Sequence, residues 1–184
     1  MNQKLKTSIA YAKNLLVTGA IAETSRHVEI EICKYIPREG NKIIVEFGVG
    51  HGNITREILK SISPTSKLYA FEVNKSFCKH VSETISDSRL IIINDGAQNV
   101  KKHIKGDVDA VISSIPFSFF SKEKGLKIIQ DAYGLLRNNT YYSQVLYTKF
   151  NFKKFQQIFD ECYMKSNKKT ITEYVYHCKK SNTY

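Results

Sequence analysis

The segment VEFGVGHGNITREI places three glycines at alternate positions, Gly48, Gly50 and Gly52, with the carboxylate of Glu46 two residues before the first. A β-branched run, KIIVEFG (42–48), leads into the glycines, and a segment with helical spacing follows them. Glycines at such a strand-to-helix turn let a ligand approach the backbone where Cβ atoms would block it. The dinucleotide fingerprint has the spacing G-x-G-x-x-G. Here the spacing is G-x-G-x-G, and Asn53 stands where the third dinucleotide glycine would be. A carboxylate beside the loop suits a cation and is badly placed for a pyrophosphate.

Two more acids end later strand-like runs. Glu72, followed by Val73, closes KLYAFEV (67–73), about 20 residues past the glycines, where a carboxylate can accept from both hydroxyls of a ribose. Any nucleotide-binding α/β fold would use such a residue, so Glu72 supports a site without choosing the ligand. Asp95 closes RLIIIND (89–95); it can accept from the exocyclic amine of an adenine, and Gly96 and Ala97 leave room for the ring. Alone, an Asp-Gly after a strand is ordinarily a turn, and a glycine turn can exist without a ligand. Three acids at successive strand ends, on the edge where open α/β sheets bind ligands, are more than that. S-adenosylmethionine (SAM) suits them, since it carries an ammonium, a carboxylate and a sulfonium but no phosphate.

These residues must be carried by alternating strands and helices. VDAVISSI (108–115) and YYSQVLYT (141–148) also read as strands. Ile54, Ile58 and Ile62 recur at four-residue steps until Pro64, and Gly125 to Leu136 carries Leu126, Ile129 and Tyr133 on one side. Continuously apolar strands separated by helices predict a doubly wound α/β domain with a mostly parallel sheet covered on both faces. Near the end, residues 152–163 read as helix and TITEYVYHCK (170–179) as an antiparallel edge strand. The whole chain, 1–184, is expected to be one domain, with 41–184 as its α/β core and 1–40 as a helical extension. In the first helix of that extension Leu5, Ile9, Ala12 and Leu16 share a face, away from Lys4, Lys6 and Lys13. Such a helix lies in a membrane interface or packs on its own domain. A second helix starts near Thr24 or Ser25, either of which can cap it, and turns Val28, Ile32 and Ile36 inward.

Composition narrows the partners. The 28 Lys+Arg and 17 Asp+Glu among 184 residues give a formal net charge of +11. That suits a nucleic-acid backbone or an anionic membrane, or it is simply a solvated basic surface. Cys33, Cys78, Cys162 and Cys178 lie far apart without C-x-x-C spacing, so neither a metal site nor a disulfide framework is expected. No apolar run approaches the roughly 20 residues of a membrane-spanning helix. SIAYAKNLLVTGAIA loosely mimics a secretion signal, but Lys13 and Asn14 interrupt it. The expected location is cytoplasmic, peripheral at the inner membrane face if the first helix anchors the chain.

With VEFGVGHG, FEVN, NDGAQ and VISSIPF in that order, residues 43–120 resemble class I SAM-dependent methyltransferases. The resemblance implies a seven-stranded Rossmann-like sheet and SAM held by Glu46, Gly48, Gly50, Gly52, Glu72, Val73, Asp95, Gly96, Ala97 and Ser113. It implies no metal. SSIPF (113–117) is similar to the Asn-Leu/Ile-Pro-Tyr/Phe motif of adenine N6-methyltransferases, including the rRNA adenine dimethylases, with Ser114 in place of Asn. A hydroxyl lacks the separate acceptor and two donors of an amide. Ser-Ser-Ile-Pro also resembles the bacterial phospholipid N-methyltransferases of the PmtA type, as does AKNLLVTGAIAETSRHV near the start. Their C-terminal Asn-Leu-Pro-Pro-like motif is missing, and ITEYVYHC stands there instead.

The lipid resemblance implies N-methylation of a phosphatidylethanolamine head group at an anionic membrane. An rRNA adenine or a small-molecule amine is the alternative acceptor, and a catalytically silent SAM- or lipid-binding module the non-enzymatic alternative. Ser114, Ile115 and Phe117 would line the acceptor side, with Ser114 and Pro116 at the point of transfer. Phe117, Phe119 and Phe120 either hold a head group by cation–π contact or belong to the core. Tyr11 is a candidate for proton removal, or an interfacial aromatic. His51 reads as a spacer, and Arg26 as a partner for a phosphate, the SAM carboxylate or a neighbouring acid.

Overall fold

The β-branched runs do become strands of one sheet. The computed structural model describes residues 24–149, 151–168 and 172–181; Tyr11 and the expected first helix lie outside them. The strands are β1 (Ile43–Phe47), β2 (Lys67–Phe71), β3 (Leu90–Ile93), β4 (Val108–Ser113), β5 (Leu136–Leu146), β6 (Glu161–Lys168) and β7 (Thr172–Lys180). They lie in the order β3-β2-β1-β4-β5-β7-β6. The first five are mutually parallel, and β7 runs antiparallel to both β5 and β6. The helices are α1 (Arg26–Ile32), α2 (Asn53–Ser61), α3 (Lys75–Thr84), α4 (Val100–His103), α5 (Lys122–Leu135) and α6 (Phe152–Gln156).

Strand alternation divides the apolar side chains between two cores. Val45 and Phe47 of β1 join Val111, Ile128, Ile129, Tyr142 and Phe155 on one face. Ile44 joins Val28, Ile32, Ile54, Ile58 and Ile112 on the other. Glu46 alternates onto the second face, beneath α2, and that decides its surroundings. The inward set expected for the second helix is observed, with Val28 and Ile32 fully buried and Ile36 nearly so.

Three local expectations are corrected. Residues 152–163 are helical only over Phe152–Gln156, and the chain enters β6 at Glu161. Pairing of β6 with β7, from Glu161↔Lys179 to Lys168↔Thr172, overrides the helical spacing there. β7 is therefore not an edge strand, because β6 covers its outer side. Ser25 occupies the N-cap position of α1 without capping it by its side chain. Its hydroxyl donates to Glu173 Oε2 at 2.6 Å instead, and its amide to Oε1 at 3.3 Å.

That bond anchors α1 to the sheet. Asn167 Nδ2 reaches both the Ser25 hydroxyl and Glu173, whose side chain is buried. Further along α1, Glu31 pairs with Lys165 of β6 at 2.9 Å, and Tyr35, in the turn that follows α1, stacks on Tyr141 with ring centroids 4.3 Å apart. Arg26 is taken by acids, Glu57 of α2 at 2.7 Å and Glu29 at 3.1 Å. Replacing Glu173 with Ala removes the acceptor of the half-buried Ser25 amide and hydroxyl and of Asn167. The expected cost is about 1–3 kcal/mol, measured as a lowered urea midpoint.

Candidate functional site

The parallel register brings the C-terminal ends of β1, β2, β3 and β4 to one edge, because Phe47 pairs with Phe71 and Ser113 while Phe71 pairs with Ile93. A cavity of about 580 Å³ opens there, within the roughly 300–1,000 Å³ usual for small-molecule sites. Gly48, Val49, Gly50 and His51 form one wall, Glu72, Val73, Asn74 and Phe77 a second, and Asp95 to Gln98 a third. Ser114, Ile115, Pro116, Phe119, Phe120, Lys124, Val145, Tyr147 and Thr24 close the far side.

Each glycine of the loop has its own reason to be glycine, beyond a shared left-handed backbone with φ of +85°, +53° and +82° at Gly48, Gly50 and Gly52. A Cβ on Gly48 would stand 2.9 Å from Ser114 Oγ, and one on Gly52 would stand 3.0 Å from Ile85 and 3.1 Å from Val81. Both positions are closed by the protein itself. At Gly50 an added Cβ would meet nothing within 4 Å. Of the three, only Gly50 leaves backbone open to a ligand.

Glu72 holds that loop in place. Its Oε2 accepts from the amides of Val49 and Gly50, each at 3.1 Å, and its Oε1 from the amide of Asn74 at 2.9 Å. Asn74 in turn caps α3 by accepting from the Ser76 amide. Asp95 accepts from the Gly96 amide and Asn99 Nδ2 through Oδ1, and its Oδ2 lies 2.8 Å from His103 Nε2. The Asn99 and His103 contacts, with the Gly96 amide, pull its carboxyl down to about 2. The space beside Gly96 is occupied by the Gln98 carboxamide. Val73 is 71% exposed at the mouth, and Ala97 is buried.

Glu46, expected beside the ligand, is 1% exposed under α2 and is not among the residues lining the cavity. Its Oε2 accepts from Thr55 Oγ1 at 2.8 Å, while Oε1 has no hydrogen-bond partner among the described residues. Burial pushes this carboxyl up to about 8, with Glu72 adding to the shift. Glu46 therefore keeps its proton at neutral pH. The open backbone at Gly50 and the acids at two strand ends, all lining the cavity, fit a ligand with an adenosine part.

On the acceptor side the structure separates the expected residues. Ser114, Ile115 and Pro116 line the cavity, whereas Ser113 and Phe117 are buried beneath it. Phe117 is 1% exposed and packs edge-on against Phe155 and Phe120, with centroids 5.5 and 6.0 Å away. Of the aromatic cluster, Phe119 and Phe120 reach the cavity. Ser114 Oγ donates to the Gly48 carbonyl at 2.8 Å, tying the acceptor turn to the glycine loop. Gln144, fully buried, donates to the Ile115 carbonyl at 3.1 Å. The Pro116 carbonyl accepts from the Phe119 amide. Residues that sequence reading passed over include Asn74, Phe77, Gln98, Lys124, Gln144 and Tyr147. Only Asn74 carried a local signal, as a helix cap directly after a strand.

No protein-family model matches the chain. An ornithine lipid N-methyltransferase of Singulisphaera acidiphila is 21% identical over 157 residues, covering 82% of each chain. Among solved structures, the precorrin-6y C5,15-methyltransferase of Geobacter metallireducens superposes with a TM-score of 0.71 at 12% identity, over 85% of this chain and 90% of that one. An rRNA methylase from Streptococcus thermophilus superposes with a TM-score of 0.66 at 17% identity, over 88% and 100%. A Streptococcus mutans chain solved in complex with SAH gives 0.66 at 16% identity, over 86% and 99%. The fold is that of the class I SAM-dependent methyltransferases.

The buried Glu46 makes stability depend on pH in a definite direction. Between its ordinary value of 4.5 and about 8 the folded chain keeps a proton that the unfolded chain has lost. Stability attributable to this residue therefore falls as pH rises through that window. Glu46→Gln, which can still accept from Thr55, should match wild type near pH 4.5. By pH 8 it should exceed wild type by on the order of a few kcal/mol, read from urea midpoints of the two proteins across the range.

Proposed function

We propose that the chain is a SAM-dependent N-methyltransferase acting on the amine of a phospholipid head group, with phosphatidylethanolamine as acceptor. The observation that carries the reading is a single cavity with two unlike ends. Carboxylates and an open glycine backbone stand at one end and an apolar, aromatic wall at the other, and the two meet where Ser114 bonds Gly48. The distant likeness to a lipid N-methyltransferase supports the same class of acceptor. Phe117 argues against an adenine acceptor: it stands where the resemblance to adenine methylases needs a stacking ring, and it is committed to the core.

SAM supplies an activated methyl group on a sulfonium. The protein's part is to bind, orient and exclude water. Gly50 gives the cofactor backbone contact, Glu72 stands at the ribose position, and Asp95 stands at the adenine position. Glu46 lies under α2 outside the cavity lining, bonded to Thr55. At the acceptor turn the carbonyls of Ile115 and Pro116 are already bonded. In this reading the Ser114 carbonyl receives an N–H of the acceptor and aims its lone pair. The amine must lose a proton before it attacks, since a primary ammonium ordinarily titrates near pH 10. Tyr11, outside the described residues, remains the proposed candidate for that step. The basic N-terminal segment, with its lysines opposite an apolar face, would hold the chain at the inner face of a membrane.

Purified protein with methyl-labelled SAM should place label in phosphatidylethanolamine presented in anionic liposomes and none in unmodified ribosomal subunits. Label in RNA with none in lipid would reverse the assignment. Glu72→Ala removes the ribose acceptor and also releases the amides of Val49 and Gly50. Calorimetric titration with SAH should show its affinity reduced at least about tenfold, the loss of one to two charge-assisted hydrogen bonds.

A further inference from the structure

The cavity wall carries charges of both signs. Glu72 and Asp95 stand at the glycine-loop end, and both carboxylates are engaged by protein donors. Lys124, whose ammonium lies over the Phe120 ring, is the one lysine or arginine that lines the cavity among the described residues. Some lysines elsewhere on the surface pair with carboxylates, as Lys101 and Lys127 do with Asp131, Lys165 with Glu31 and Lys179 with Glu161, and others, such as Lys67 and Lys105, donate to backbone carbonyls. Lys124 has none among the described residues. Its ammonium rests 5.3 Å from the centre of the Phe120 ring, itself part of the cavity wall.

The surroundings of Lys124 accentuate its charge. Its backbone amide is fixed by the Ser121 hydroxyl at 3.2 Å, which holds the residue in the first turn of α5. Lys154 Nζ comes within 3.9 Å of the Cβ position of Gly125, the next residue, so a second cation lies against the same turn. Glu123, the one acid in that first turn, faces Lys122 and Lys154. An unpaired cation at the acceptor end repels an approaching ammonium unless the same molecule brings a negative group to meet it.

We infer that Lys124 is the residue that selects the acceptor, by pairing with an anionic phosphodiester that lies a short linker away from the amine to be methylated. The inference rests on the reading of this cavity as a lipid N-methyltransferase site. A zwitterionic head group satisfies both ends of the wall: its amine enters toward Ser114 while its phosphate stays at Lys124, with Phe119, Phe120 and Tyr147 against its carbon atoms. A plain alkylamine offers Lys124 nothing. The pairing also neutralises the phosphate charge that would otherwise hold the proton on the amine.

The test compares two amines in neutral detergent micelles, phosphatidylethanolamine and hexadecylamine, with wild type, Lys124→Ala and Lys124→Arg. Lys124→Ala should raise KM for phosphatidylethanolamine about tenfold, the worth of one charge-assisted contact, with kcat within about twofold of wild type. For hexadecylamine, which brings no negative group, Lys124→Ala should lower KM by removing the repulsion, and Lys124→Arg should restore most of the loss with phosphatidylethanolamine. In parallel, calorimetric titration of glycerophosphoethanolamine into the SAH-bound protein should show binding to wild type that Lys124→Ala weakens in step with KM. Equal effects on both amines, or no effect on either, would overturn the role of Lys124 and leave the proposed function standing. Methylation of neither amine by wild type that still binds SAH would overturn the proposed function, and this inference with it.

Discussion

The backbone of residues 48–50 is the constraint on which the site depends. To turn from β1 into α2 in so few residues the chain adopts left-handed conformations, which leave the amides of Val49 and Gly50 outside any strand or helix ladder. Buried amides need acceptors, and one carboxylate oxygen of Glu72 serves both. From the other side the Gly48 carbonyl is bonded by Ser114. The loop is thus clamped between β2 and β4, its two neighbours in the sheet. A residue that reads as a cofactor ligand is at the same time the support of the loop that faces the cofactor.

The same clamp couples the two halves of the cavity. Ser114 does not stand free to act on an acceptor; its hydroxyl hydrogen is spent on the glycine loop. Gln144, buried in β5, fixes the next carbonyl along. Under the proposed function, acceptor recognition falls to backbone and to the apolar wall, with Lys124 as its single charged element. This is a coherent way to handle an amine, which must lose its charge before it reacts and gains nothing from a carboxylate that would hold the proton in place.

Much of the fold was legible because parallel strands buried on both faces read as unbroken β-branched runs, and five of those runs could be placed from the residues alone. Residues 152–168 resisted for a physical reason. Residues 152–163 carry helical spacing, but Phe155 and Phe159 are buried in the core that also holds Tyr142 and Tyr176, and the strand that follows gains a complete ladder against β7. Ser25 shows the same competition at the scale of one side chain. Its local role as a cap lost to Glu173, 148 residues away. Local pattern cannot weigh a partner that only folding brings near.

What the sequence determined by itself was the order of chemistry along the chain: a glycine turn after the first strand, an acid at the end of the second, another at the end of the third, and a serine-proline turn after the fourth. Spacing alone suffices there, since parallel strands in register deliver their ends to one edge. Tertiary structure decided what each residue faces. It turned Glu46 under α2 and left one oxygen vacant, sank Phe117 into the core while Phe119 and Phe120 reached the cavity, and brought Lys124 to the acceptor end unpaired. Those outcomes depend on which face of a strand or which side of a turn meets a neighbour. That is settled by packing between elements far apart in sequence, and no local spacing encodes it.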